Sequence, residues 1–154
     1  MVRLIFVSLF LFGSTCHAQQ ARIVKLADLQ QLMSHSDDTL HVINFWATWC
    51  GPCIKELPYF EKVAASGVRV TLVSMDLELD PDPKKVYKFI ERKGLQSEVV
   101  LLDEQDPNTY INKIDQRWSG ALPATIIINH STGQRIFVER SLREGELEQL
   151  LSEI

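Results

Sequence analysis

Apolar and polar positions along this chain fall into short blocks whose period switches between two residues and about 3.6. The pattern predicts a short strand over 22–26 and a helix over 27–34, where Leu29, Leu32 and Met33 recur at helical spacing. An almost unbroken apolar run at 40–46 reads as a buried strand, and 52–65 as a helix that Gly67 closes. Pro58 lies inside that helix, where it removes one N–H and is expected to bend it. The alternating, β-branched stretch 68–74 is another strand. Asp80-Pro81-Asp82-Pro83 reads as a turn, with Asp82 and Pro83 starting a helix over 84–93 that ends at Gly94. A brief strand at 99–102 follows, then a helix opened by Asp106-Pro107 and running to Ile114. A strand at 123–128 begins on a proline, and a hairpin loop at 129–133 leads to a strand at 134–139. Ser141-Leu142-Arg143-Glu144 has the form of a capping box, and Leu147, Leu150, Leu151 and Ile154 form the apolar stripe of a last helix.

Strands alternating with helices, then a hairpin and a closing helix, imply an α/β domain with a mixed sheet between helices. No internal repeat, low-complexity stretch or second domain is visible.

The first 18 residues follow different rules. Arg3 precedes an apolar core from Leu4 to Phe12, interrupted only by Ser8, and small residues stand at Cys16 and Ala18. This is the form of a secretory signal peptide cut after Ala18, and it is too short to span a bilayer, which takes ~20 apolar residues. A lipoprotein signal, with Cys16 carrying the lipid, is the alternative; Thr15 is bulkier than the residue such a site prefers. Residues 19–154 then form one domain, large enough for a real core. They carry 15 basic and 20 acidic side chains, a net charge near −5, which recommends neither nucleic acid nor an anionic membrane as partner.

Only Cys50 and Cys53 remain in that domain, as Cys50-Gly51-Pro52-Cys53. A bridge across two residues constrains almost no chain entropy, so reactivity explains the pair better than stability does. The glycine and proline supply the turn of the small ring. At a strand-to-helix junction, helix N–H groups and the positive end of the dipole stabilise a thiolate. Lowering a thiol pKa from ~8.5 to ~7 raises the thiolate from a few per cent to about half at neutral pH. The motif in this context points to dithiol–disulfide exchange, with Cys50 as exposed nucleophile and Cys53, one turn deeper, resolving the mixed disulfide.

At these residues the chain resembles the thioredoxin superfamily. Trp46-Ala47-Thr48-Trp49-Cys50-Gly51-Pro52-Cys53 matches that family's active-site segment almost letter for letter, and the resemblance extends over essentially all of 19–154. It implies a thioredoxin-like fold, with one extra helix and strand inserted between the strand at 68–74 and Pro123. That insertion, the leader and Cys53-Ile54-Lys55-Glu56-Leu57-Pro58 resemble the TlpA/ResA-type extracytoplasmic branch. The resemblance implies a periplasmic or secreted thiol–disulfide oxidoreductase of the protein-disulfide reductase type, without small-molecule cofactor or metal. Its partners are client proteins with disulfides, as in cytochrome c maturation, and an upstream, membrane-embedded thiol–disulfide electron donor.

The resemblance also implies roles. Leu122-Pro123-Ala124-Thr125 looks like the element in which a cis proline opens the strand facing the redox loop. Trp49, Gly51, Pro52, Leu122 and Pro123 are the expected substrate-binding residues, and proline's missing N–H leaves nearby backbone groups for a client. Many thioredoxins bury an aspartate where this chain has Asn44, whose amide takes no proton. Glu56 matches a glutamate implicated in exchange chemistry in the extracytoplasmic branch; the other reading is a solvated helix residue beside Lys55. Trp46 and Trp118 read as core.

Rival chemistries fit less well. A copper carrier would use the cysteine pair with a histidine among His17, His35, His41 and His130, but such carriers on this fold space the cysteines by three. A thiol peroxidase wants threonine where Ala47 stands. An oxidant or isomerase stays open, because ~30 mV in this couple is only ~1.4 kcal/mol.

Overall fold

The structure, a computed structural model, describes residues 21–34 and 40–154. The expected leader at 1–18, together with Cys16, His17 and His35, lies outside the described residues. Six strands form one sheet: β1 (Arg22–Val24), β2 (Leu40–Trp46), β3 (Arg69–Ser74), β4 (Glu98–Leu102), β5 (Ala124–Asn129) and β6 (Arg135–Val138). The helices are α1 (Leu26–Ser34), α2 (Gly51–Ala65), α3 (Lys84–Lys93), α4 (Pro107–Ile114) and α5 (Glu146–Ser152), with a 3-10 turn at Asp76–Glu78 after β3.

The order across the sheet is β1-β4-β3-β2-β5-β6. The first four strands in that order are parallel to their neighbours, while β5 and β6 run antiparallel. β4 slots between β1 and β3, so α3 with β4 is the inserted helix–strand segment.

β2 is central and buried on both faces, which is why its sequence is almost continuously apolar. The alternation is intact underneath. Val42 and Trp46 pack with Leu57, Phe60 and Val63 of α2, Phe89 of α3 and Leu147 of α5. Ile43 and Phe45 pack on the other face with Leu29 of α1, Tyr110 of α4 and Trp118. Each of these large buried side chains is worth roughly 1.5–3 kcal/mol of hydrophobic stabilisation. Trp46 and Trp118 are both core, as expected.

Two helix starts differ from the sequence reading. The residue flanking α3 is Pro83, not Asp82, although Asp82 Oδ1 still accepts the Lys84 N–H at 3.0 Å. The capping box at 141–144 does not form. α5 begins at Glu146 behind a left-handed Gly145, because Ser141 and Leu142 are committed to a partner elsewhere.

Candidate active site

β2 ends at Trp46 and the chain turns tightly, with Cys50 N–H bonded to Ala47 O at 3.1 Å, before α2 starts at Gly51. Cys50 is the extended residue just ahead of the helix (φ −86°, ψ 99°). Its sulfur accepts the Cys53 N–H at 3.3 Å. Pro52 fits the first turn because the N–H it lacks has no intrahelical partner there. Cys50 and Cys53 form a disulfide with S–S 1.97 Å.

Cys53 is fully buried, the deeper of the two as expected. Cys50 corrects the sequence reading: only 6% of it is exposed, since Ala47, Leu57 and Leu122 belong to or pack against the same apolar cluster. Exposure at this end belongs instead to Trp49, 52% accessible, and to Gly51 and Pro52.

Glu56 is not a solvated helix residue. It is fully buried, on the side of α2 that faces the sheet. Asn44 Nδ2 donates to its Oε1 at 3.1 Å, while Leu142 N–H (2.7 Å) and Ser141 Oγ (3.3 Å) donate to Oε2. Burial pushes the Glu56 carboxyl above the ordinary glutamate range, and the three donors oppose that shift without cancelling it. Ser141, expected as a cap, is thus part of the site, and its hydroxyl also reaches Pro52 O at 3.4 Å.

Antiparallel pairing sets Phe45 opposite Ala124, so Pro123 stands beside the end of β2 from which the redox loop leaves. The Leu122–Pro123 peptide is cis. Pro123 is buried and Leu122 half-buried.

Two carboxylates that the sequence reading missed brace this region. Glu139 Oε1 accepts the N–H groups of Ser119 (2.9 Å) and Ala121 (3.0 Å) and the Ser119 hydroxyl, fixing the loop ahead of Leu122. Asp76 Oδ2 accepts Thr48 N–H and Ser74 Oγ–H, both at 2.9 Å, and its Oδ1 accepts the Thr48 hydroxyl. Neither residue sits in an apolar periodicity or near the cysteines in sequence; only the Ser-x-Asp spacing of Ser74 and Asp76 at a strand end hinted at a local cap.

The histidine rival to the redox reading loses its geometry. His41 and His130 stand together, ring centroids 6.0 Å apart. His41 is the second residue of β2 and pairs with Ile128, so both histidines lie at the end of the strand opposite Cys50, roughly 17 Å of strand away from Trp46. Among the described residues no group of three or more His, Cys, Asp or Glu is arranged to hold a metal ion.

Residues 17–132 match the Redoxin family. The thiol-disulfide oxidoreductase ResA of Geobacillus thermodenitrificans is 30% identical over 117 residues, covering 73% of this chain but 61% of that protein. Among solved structures, a thioredoxin-related protein from Neisseria meningitidis serogroup B superposes with TM-score 0.63 at 21% identity, over 76% of this chain and 85% of that one. StoA from Bacillus subtilis gives 0.57 at 21% identity, over 75% and 82%. These two share the fold: the sheet order, the disulfide ahead of α2 and the proline before β5 make it thioredoxin-like. With a six-stranded mixed sheet between helices and a family match over most of its length, this chain belongs to the Redoxin family and is similar to the ResA-type proteins of the thioredoxin superfamily.

Proposed function

We propose that this chain is an extracytoplasmic thiol–disulfide oxidoreductase that reduces disulfides of client proteins, in the manner of cytochrome c maturation. The observation that carries the reading is a disulfide between Cys50 and Cys53 at the N-terminus of α2, beside the loop holding Leu122 and Pro123. In the dithiol state, the Cys50 thiolate attacks a client disulfide and expels one client thiolate, leaving a mixed disulfide. Cys53 gives its proton to Glu56 and attacks Cys50 Sγ, which expels the second client thiolate. Two electrons have then passed to the client, the client sulfurs take up two protons, and the Cys50–Cys53 bond has formed.

Trp49, Gly51 and Pro52 form the accessible rim that a client meets, and Leu122 with Pro123 forms the opposite wall. An upstream thiol–disulfide donor, embedded in the membrane, returns the two electrons by the reverse exchange. Residues 1–18 act as a cleaved leader and 19–154 as the exported domain. A lipid on Cys16 is the alternative for the leader. Among the described residues, no helix is long and apolar enough to cross a membrane.

Equilibration with glutathione mixtures tests the direction. A reductase settles near the thioredoxin level of about −270 mV; a value near −120 mV, that of a strong oxidant, overturns the reductive role. Stoichiometric copper or zinc in protein purified under reducing conditions would replace the whole reading with a metal carrier.

A further inference from the structure

Asp76 is a buried acidic side chain that the exchange chemistry above does not use. It is 4% exposed. Its partners are neutral: the Thr48 N–H and hydroxyl and the Ser74 hydroxyl. No ion pair reaches it among the described residues. Its own backbone is equally committed, with Asp76 O accepting the N–H groups of Leu79 (3.1 Å) and Asp80 (3.0 Å). Next to it, Met75 N–H bonds Trp46 O at 2.9 Å. One residue therefore ties the end of β3, the 3-10 turn and the redox loop together.

Thr48 is two residues before Cys50, a span of at most ~7 Å of chain. The Asp76 carboxylate, 2.9 Å from the Thr48 nitrogen, thus lies within roughly 10 Å of Cys50. At that separation and an effective dielectric near 20, one negative charge weakens the acidity of a neighbouring thiol roughly tenfold. This acts against the helix N-terminus, which favours the thiolate. The other carboxyl beside the pair, Glu56, is pushed up by burial, against the bonds from Leu142, Asn44 and Ser141 and the nearby Arg140.

We propose that Asp76 is a positioning residue that fixes the redox loop through Thr48, and that its charge restrains the ionisation of Cys50 and so keeps the couple reducing. The inference deepens the reductase reading and rests on it for the sign of the physiological effect. The dithiol is stabilised whenever its thiolate is; restraining that thiolate favours the disulfide, and a couple that prefers its disulfide gives electrons to clients.

Asp76→Asn separates charge from scaffold. The asparagine oxygen still accepts the Thr48 N–H and the Ser74 hydroxyl, and the Thr48 hydroxyl turns to accept from the amide N–H. The readouts are the pH dependence of Cys50 alkylation by iodoacetamide and the glutathione equilibrium, compared with the unaltered chain. Near-ultraviolet circular dichroism checks the fold. The expected result is a Cys50 thiol about tenfold more acidic and a couple shifted about tenfold towards the dithiol, ~30 mV less reducing. Thr48→Val, which keeps the charge but loses one hydroxyl bond, leaves the alkylation profile within twofold. An alkylation profile unchanged in folded Asp76→Asn overturns the inference. Alkylation needs no client, so it decides the matter even if the unaltered chain fails to reduce disulfides, a failure that would count against the reductase reading alone. Should Asp76→Asn not fold, the same profile from Asp76→Ser, small enough to fit, decides in the same way.

Discussion

Asn44 and Glu56 meet inside the protein, the amide nitrogen 3.1 Å from carboxylate Oε1, with no part of either residue exposed. The contact follows from two periodicities. Asn44 lies between Val42 and Trp46 on the face of β2 that α2 covers, and Glu56 lies three residues after Cys53 on the covering side of α2. Asn44 Nδ2 also donates to Thr125 Oγ1 at 3.1 Å, its cross-strand partner on β5. Among the described residues, no partner reaches the buried Asn44 Oδ1. The Asn44 bond opposes the upward push of burial on Glu56 without cancelling it, and Asn44 Oδ1 stays an acceptor ready for a donor.

Glu56→Gln exploits that orphan acceptor. Its amide still accepts from Leu142, and a turn of the Asn44 amide presents Oδ1 to the new N–H groups. Because burial raises the folded-state pKa of Glu56, its contribution to stability is full below the ordinary glutamate range and is lost as pH rises through the raised value. Denaturant titrations from pH 4 to 8 are therefore expected to show the variant gaining on the unaltered chain as pH rises. Its resolving step is expected to slow about 10²-fold at neutral pH. A flat stability difference across that range argues against the titration, and an unaltered resolving rate argues against the proton-acceptor role.

The two cysteines are not equivalent. With Cys50 at the helix entrance and Cys53 sealed beneath it, Cys50→Ser is expected to abolish insulin reduction. Cys53→Ser is expected to accumulate mixed disulfides visible on non-reducing gels. Equal trapping by both variants contradicts the assignment of attacker and resolver.

Glu139 holds the loop before Pro123 by two backbone N–H groups and a hydroxyl, all on one oxygen. Glu139→Ala is expected to cost roughly 1–3 kcal/mol of stability and to raise the KM for a disulfide peptide several-fold more than it lowers kcat. Glu139→Gln keeps an oxygen there and should restore most of both. A kcat loss with KM unmoved would place the loop outside client binding.

Trp46 and Trp49 have opposite environments. Trp46 is fully buried against Phe89, ring centroids 5.2 Å apart, so Trp46→Ala is expected to cost roughly 3–5 kcal/mol in chemical denaturation. Trp49→Ala, at an exposed ring, is expected to stay within about 0.5 kcal/mol while weakening client capture by the Cys53→Ser trap. Undiminished capture would remove Trp49 from the client surface.

Local pattern was enough to read β2, α2 and α4 nearly to the residue. Their signals are chain-local: an apolar run, a Gly-Pro start, and Asp106-Pro107, whose side chain does accept the Asn108 N–H. The cysteine pair was legible for the same reason, since two thiols and their turn lie within four residues. The same local logic failed at Ser141. Its spacing to Glu144 fits a capping box, but the Leu142 N–H bonds Glu56, 86 residues earlier in the chain, and α5 starts later behind Gly145.

The sequence by itself determined the alternation of strands and helices, the redox dithiol and the proline before β5, because each is written in neighbouring residues. Only the tertiary structure decided that Glu56 is sealed against Asn44, that Cys50 is nearly covered, and that Asp76 and Glu139 brace the two walls. The first two facts depend on how α2 packs on the sheet, and the last on loops far apart in sequence meeting beside β2 and β5. A carboxylate carries no mark in the sequence of whether water or a distant N–H will satisfy it.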